Sequence, residues 1–78
     1  MQVHILRHIE TKLPLITSRL LPKNPVEVDY IICFSDYDDA DRARVNMKLL
    51  EFVDIVAVYT ERLEYKNVYL DHEWTTVQ

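Results

Sequence analysis

No glycine occurs anywhere in this sequence, and that absence narrows what the chain can build more than any residue it does contain. Phosphate-cradling loops use glycine to let the backbone approach the ligand. A P-loop, a dinucleotide fingerprint, a kinase glycine-rich loop and a G-x-S-x-G elbow are therefore excluded as written. Asp36-Tyr37-Asp38 opens like a calcium-binding EF-hand loop, but Asp41 stands where that loop needs glycine and Met47 where it needs a bidentate glutamate. Turns have to be made by proline, asparagine and aspartate instead. Pro22-Lys23-Asn24-Pro25 and Lys66-Asn67 are the candidates.

At 78 residues the chain fits a single domain, residues 1–78, which buries only roughly 60% of its unfolded surface. Apolar residues make up 49%, enough for a core and too many for disorder. The one cysteine, Cys33, lies in the apolar run Tyr30-Ile31-Ile32-Cys33-Phe34 and reads as a small buried hydrophobe. A lone cysteine gives no disulfide, so nothing points to an oxidising compartment. Residues 1–21 are interrupted by His4, Arg7, His8, Glu10, Lys12 and Arg19, and no apolar run approaches the roughly 20 residues of a membrane helix. The expectation is a cytoplasmic protein with neither signal peptide nor membrane span.

Net charge is −4, unevenly spread. Residues 1–25 hold four basic side chains against one acidic, a net of +3, and residues 26–78 hold five against twelve, a net of −7. Direct nucleic-acid binding needs concentrated Lys and Arg, so this balance argues against it. It suits a protein partner with a basic surface.

Residues 2–9 read as a strand, with helix as a rival; alternation puts Val3, Ile5 and Ile9 on one face and His4, Leu6 and His8 on the other. Residues 13–21 read as a short helix opened by Pro14, with Leu13, Ile16 and Leu20 on one side. Residues 26–35 are the strongest strand, alternating at first and then apolar on both faces. Residues 36–53 read as the main helix, capped by Ser35 and deeply packed through Ala40, Ala43, Met47, Leu50 and Phe52. Residues 55–63 and 67–76 read as two strands joined in a hairpin at 64–67. The expected fold class is α+β. A single-layer mixed or antiparallel sheet of three to four strands packs against the helix at 36–53 and a short second helix, in the order β-α-β-α-β-β.

The most suggestive segment runs from an apolar strand into Ser35-Asp36-Tyr37-Asp38-Asp39-Ala40-Asp41-Arg42-Ala43. Carboxylates at a strand's C-terminal edge can hold magnesium. The pattern Asp36-x-Asp38-x-Ala40 resembles the metal-binding strand end of Toprim domains, although Asp41 replaces the glycine that normally follows the alanine. That resemblance implies a partner glutamate on an earlier strand, and Glu10 is the candidate, with Thr11 in place of its customary glycine. Residues 30–59 also resemble the opening β-α-β of Cas2-like ferredoxin-fold proteins, which carry a strand-end aspartate and an Arg-containing helix. A plainer reading is available. Aspartates in the first turn complement the helix dipole by about 0.3–1 kcal/mol each. Asp38 with Arg42 and Asp41 with Arg44 also have ion-pair spacing.

Four of the six Tyr and Trp residues, namely Tyr59, Tyr65, Tyr69 and Trp74, fall in the last third. Tyr65, Tyr69 and Trp74 lie among Glu61, Glu64, Asp71 and Glu73, which suggests an aromatic and acidic surface. His4 and His8 could join His72 on zinc only if residues 2–9 were helical; on a strand they stand about 13 Å apart. The preferred reading is a small acidic, non-enzymatic protein-binding module without cofactor, of the kind phages use to inhibit host enzymes. It would engage a basic, nucleic-acid-handling surface through Asp36, Tyr37, Asp38, Asp39, Asp41, Tyr65, Tyr69 and Trp74. The alternative is a magnesium-dependent enzyme acting on phosphodiesters, with Asp36 and Asp38 as ligands. Exposed strand edges and opposite charges on the two chain segments also allow a homodimer.

Overall fold

A computed structural model of the chain describes residues 1–23 and 26–77. The elements are β1 (Gln2–His8), β2 (Ile16–Leu20), β3 (Glu27–Phe34), α1 (Tyr37–Asn46), β4 (Val53–Tyr59), a short 3-10 helix (Thr60–Arg62), β5 (Asn67–Leu70) and β6 (Glu73–Thr76). They form one six-stranded sheet in the order β4-β1-β3-β5-β6, with β2 also paired to β3. The expectation of three to four strands in the order β-α-β-α-β-β is thereby corrected: the order is β-β-β-α-β-β-β, with a single α-helix among the described residues.

The sheet is buried on both faces, which explains the mixed pattern of residues 2–9. Val3 and Ile5 join Ile31, Cys33 and Val68 in one cluster. Leu6 joins Phe34, Ala40 and Val53 in another. Neighbouring residues of a strand point to opposite faces, so a strand covered twice cannot show clean alternation. The second cluster lies under α1. The first lies under residues 60–66, which cross from β4 to β5 and set Leu63 against it. β3 and β4 are both antiparallel to β1 and so parallel to each other, with α1 connecting them. The β-α-β unit implied for residues 30–59 is therefore present, with β1 between its strands.

Several expectations change, among them the strand expected at 55–63, which ends at Tyr59 and gives way to the 3-10 helix. Residues 16–20 are strand, because Leu15 donates its N–H to the Leu6 carbonyl (2.7 Å), accepts from the Ile32 N–H (3.1 Å), and leads β2 into register with β3. The Ser18 hydroxyl adds a bond to Asp29 (2.8 Å) across that pair. The helix stops at Asn46 rather than 53, since Lys48 turns left-handed at φ 58° and ends the helical path. Met47, Leu50 and Phe52 consequently lie exposed rather than packed. The N-cap is Asp36, whose carboxylate accepts from the Asp38 N–H (3.1 Å), not Ser35. Finally, residues 67–76 are two strands, not one. Asp71 and His72 both take positive φ (48° and 69°) and close a two-residue hairpin. β4 and β5 are not neighbours, so no hairpin forms at 64–67. Of the expected turn at 22–25, Asn24 and Pro25 lie outside the described residues.

At the β1–β4 seam Arg7 holds Asp54 at 2.8 Å. The hydrogen bond from Arg7 lowers the Asp54 pKa below its ordinary value, and Asp54 raises that of Arg7.

This packing sets an ordering of core substitutions. Leu6→Ala should cost about 2–5 kcal/mol, because Leu6 is fully buried beneath α1. Leu20→Ala should cost under about 0.5 kcal/mol, because Leu20 is 65% exposed. Urea unfolding followed by circular dichroism measures both, and equal losses would refute the placement of β2.

Candidate functional site

Strand register assembles an aromatic face that the sequence scatters over its length. Tyr30 and Ile32 point to the same side of β3. The parallel pairing of β3 with β5 sets Tyr69 beside Ile32, and the antiparallel β5–β6 pairing sets Trp74 beside Tyr69. The Tyr69 and Trp74 rings lie 4.4 Å apart, and Tyr30 meets Trp74 edge-on at 4.8 Å. Arg19, brought alongside by β2, holds its guanidinium 5.3 Å from the Trp74 ring centre, within cation–π range. Tyr30 is buried and serves as the floor, while Trp74 keeps 39% of its surface open.

Helix α1 packs over β1, β3 and β4 and stops short of this region. Between them runs an apolar groove of about 180 Å³, with Ala43 of the helix and its C-cap residue Met47 on one side and Thr17, Ile32, Phe34, Tyr69 and His72 on the other. His72 sits edge-on to both Phe34 (6.3 Å) and Tyr69 (6.1 Å). It also borders a second, more open hollow with Asp39, Arg42 and Asn46. Asp71 fixes the hairpin tip to the start of α1 by accepting from the Ser35 N–H (3.1 Å) and the Ser35 hydroxyl.

The expected site residues divide into two groups. Tyr69 and Trp74 come together. Asp39 reaches the rim of the same surface through His72. Asp38 is exposed, lies in the same first helical turn and forms no ion pair among the described residues. Asp36 is occupied as the N-cap, and Asp41 by Arg44 at 2.8 Å. Arg42 pairs with Asp39 (3.4 Å) instead of the expected Asp38. Tyr37 is exposed, with its ring edge-on to His4 at 5.9 Å. Tyr65 lies in the crossover that covers the opposite face and does not join Tyr69 and Trp74. Arg19, Tyr30 and His72 belong to the surface but were not foreseen. Arg19 becomes legible only when residues 16–20 are read as a strand.

For the metal reading, the strand directions matter. β1 runs antiparallel to β3, so Glu10 leaves the sheet at the end opposite Asp36, about 20 Å away along the strands. A Toprim-like pairing of those two carboxylates is not formed. Among the described residues no three His, Cys, Asp or Glu side chains are grouped to hold a metal ion. His4 and His8 lie on a strand, and His72 on the hairpin tip, so the three do not form the zinc set considered above. Among the described residues no helix is long and apolar enough to cross a membrane.

Compared with protein-family models, curated proteins and solved structures, the chain finds no significant match. The two local resemblances therefore carry no family assignment.

Cys33 sits beneath this end of the sheet, fully buried. Burial, and secondarily the charge of Asp71, pushes its thiol pKa up to about 12. The thiolate is the reactive form, so folded protein at pH 8 should not react with a disulfide reagent on the timescale in which urea-unfolded protein reacts completely. A native-state rate matching the unfolded one would show that Cys33 is not in the core.

Proposed function

We propose that the chain is a non-enzymatic binding module that recognises a protein with a basic surface. One observation carries this reading: Tyr69 and Trp74 stand on the half of a sheet face that α1 leaves uncovered, beside an apolar groove. Aromatic side chains flanking a groove provide large contact area at low entropic cost, which is how binding hot spots are built. The groove, at about 180 Å³, suits one or two apolar side chains of a partner rather than a sizeable small-molecule ligand.

Charge gives the reading its direction. Asp39 stands at the rim of the surface, Asp38 is exposed beside it in the first turn of α1, and residues 26–78 carry a net −7. Arg19 is drawn onto Trp74 and Arg42 is paired with Asp39, so both of these basic side chains are already engaged. A partner that inserts an apolar side chain and presents Lys or Arg beside it would meet both features. Such basic surfaces are common on proteins that handle nucleic acid, and an acidic module covering one would act as an inhibitor of the kind phages encode. A single unpaired Cys33 fits the reducing cytoplasm as the setting.

Selection from a random peptide library against the full chain tests this. Enriched peptides should carry an apolar or aromatic residue flanked by Lys or Arg. Their affinity should fall at least tenfold in Trp74→Ala and in the double variant Asp38→Lys/Asp39→Lys, while Trp74→Phe retains most of it. Circular dichroism of the double variant should show the parent's folded spectrum, with a somewhat lower melting temperature because two first-turn charges are reversed and the Asp39–Arg42 pair is lost. Peptides without basic residues, or binding indifferent to all these substitutions, would reject the reading.

A further inference from the structure

The sheet has one edge that lacks the usual protection. β4 spans seven residues, Val53–Tyr59, and pairs only with β1, in a register that runs unbroken from Gln2↔Tyr59 to His8↔Val53. Beyond that ladder, no hydrogen bond among the described residues uses a backbone N–H or C=O of residues 54–59. In a strand, alternate groups point to each side, so those on the outer side stand free. Proteins guard such edges with short strands, charges, proline or bulges. β6 follows the rule, with four residues of which Trp74 is the only apolar one, and β2 carries Ser18 and Arg19. β4 has none of these devices. Its one charged residue, Asp54, is turned onto Arg7 of β1.

We propose that the free edge of β4 pairs antiparallel with the same edge of a second copy across a two-fold axis, joining the two sheets into one. A two-fold contact brings like against like, so a charged strand would repel itself and an uncharged one does not. From Ile55 to Tyr59 there is no charge at all. Centring the pair on Ala57 sets Val56 of one copy opposite Val58 of the other, and Ile55 opposite Tyr59. Asp54 then falls beyond the apolar stretch and does not face its own copy. The ends of the edge are also apolar and open: Phe52 is 60% exposed and Tyr59 is 54% exposed. Val56 and Val58, half-buried against the first core cluster, would gain a neighbour from the second copy and extend that layer. Each copy carries −4, so raising the salt should strengthen the association by screening their repulsion.

Sedimentation equilibrium of the full chain, from micromolar to millimolar, tests the pairing. The mass should rise with concentration from 9.3 kDa towards twice that value, and more readily at high salt. Ala57 is exposed, so Ala57→Lys and Ala57→Glu should fold normally by circular dichroism. Each variant alone should remain at 9.3 kDa, because it places like charges at the axis, and an equimolar mixture of the two should recover the dimer. A parent chain that stays monomeric at millimolar concentration, a dimer that survives Ala57→Lys, or a mixture that recovers nothing would each overturn the proposal.

Discussion

β3 is the strand on which the rest of the molecule depends. Along one edge it takes β2 beside its first half and β1 beside Cys33 and Phe34; along the other it takes β5 in parallel beside Ile31–Cys33. Its second half is apolar on both sides, so Ile31 and Cys33 anchor one core cluster and Phe34 the other. A domain this small has little apolar surface to spare, and a single strand that serves two cores is an economical way to bury it. The end of β3 then delivers Asp36 as the cap that starts α1.

What the helix leaves uncovered follows from its length. Ten residues of helix extend about 15 Å, and α1 spends that length reaching across β1 towards β4. The far side of the same sheet face, built from β2, the first half of β3, β5 and β6, is left to its own side chains. Tyr30, Tyr69, Trp74 and Arg19 cover one another there instead of being roofed by a helix. The open aromatic surface is thus a consequence of a short helix beside a wide sheet, and the groove is the seam between them.

Much of this arrangement was legible in particular residues. The change within β3 from alternating to fully apolar marked it as central, and the aspartates after it marked a helix start. β2 was not legible, because Leu13, Ile16 and Leu20 have spacings that suit a helix as well as a strand, and only pairing with β3 decides between them. The ends of α1 and of the β5–β6 hairpin were hidden by the same circumstance. Without glycine, the left-handed positions fall to Lys12, Lys48, Asp71 and His72, and of these only aspartate carries a turn signal in sequence. The acidic cluster was legible as a helix start with ion pairs, and Asp41 does pair with Arg44, but the cap is Asp36 rather than Ser35 and Arg42 pairs with Asp39 rather than Asp38. The aromatic face was not, since Tyr30, Tyr69 and Trp74 meet only through a parallel pairing of distant segments.

That parallel pairing is the central claim, and proton–proton contacts between aromatic rings in a two-dimensional NMR spectrum test it directly. The Trp74 indole should show cross-peaks to the rings of both Tyr30 and Tyr69 and to the side chain of Arg19. Cross-peaks from Trp74 to α1 in their place, or none to Tyr30, would contradict the pairing of β3 with β5 and the surface built upon it.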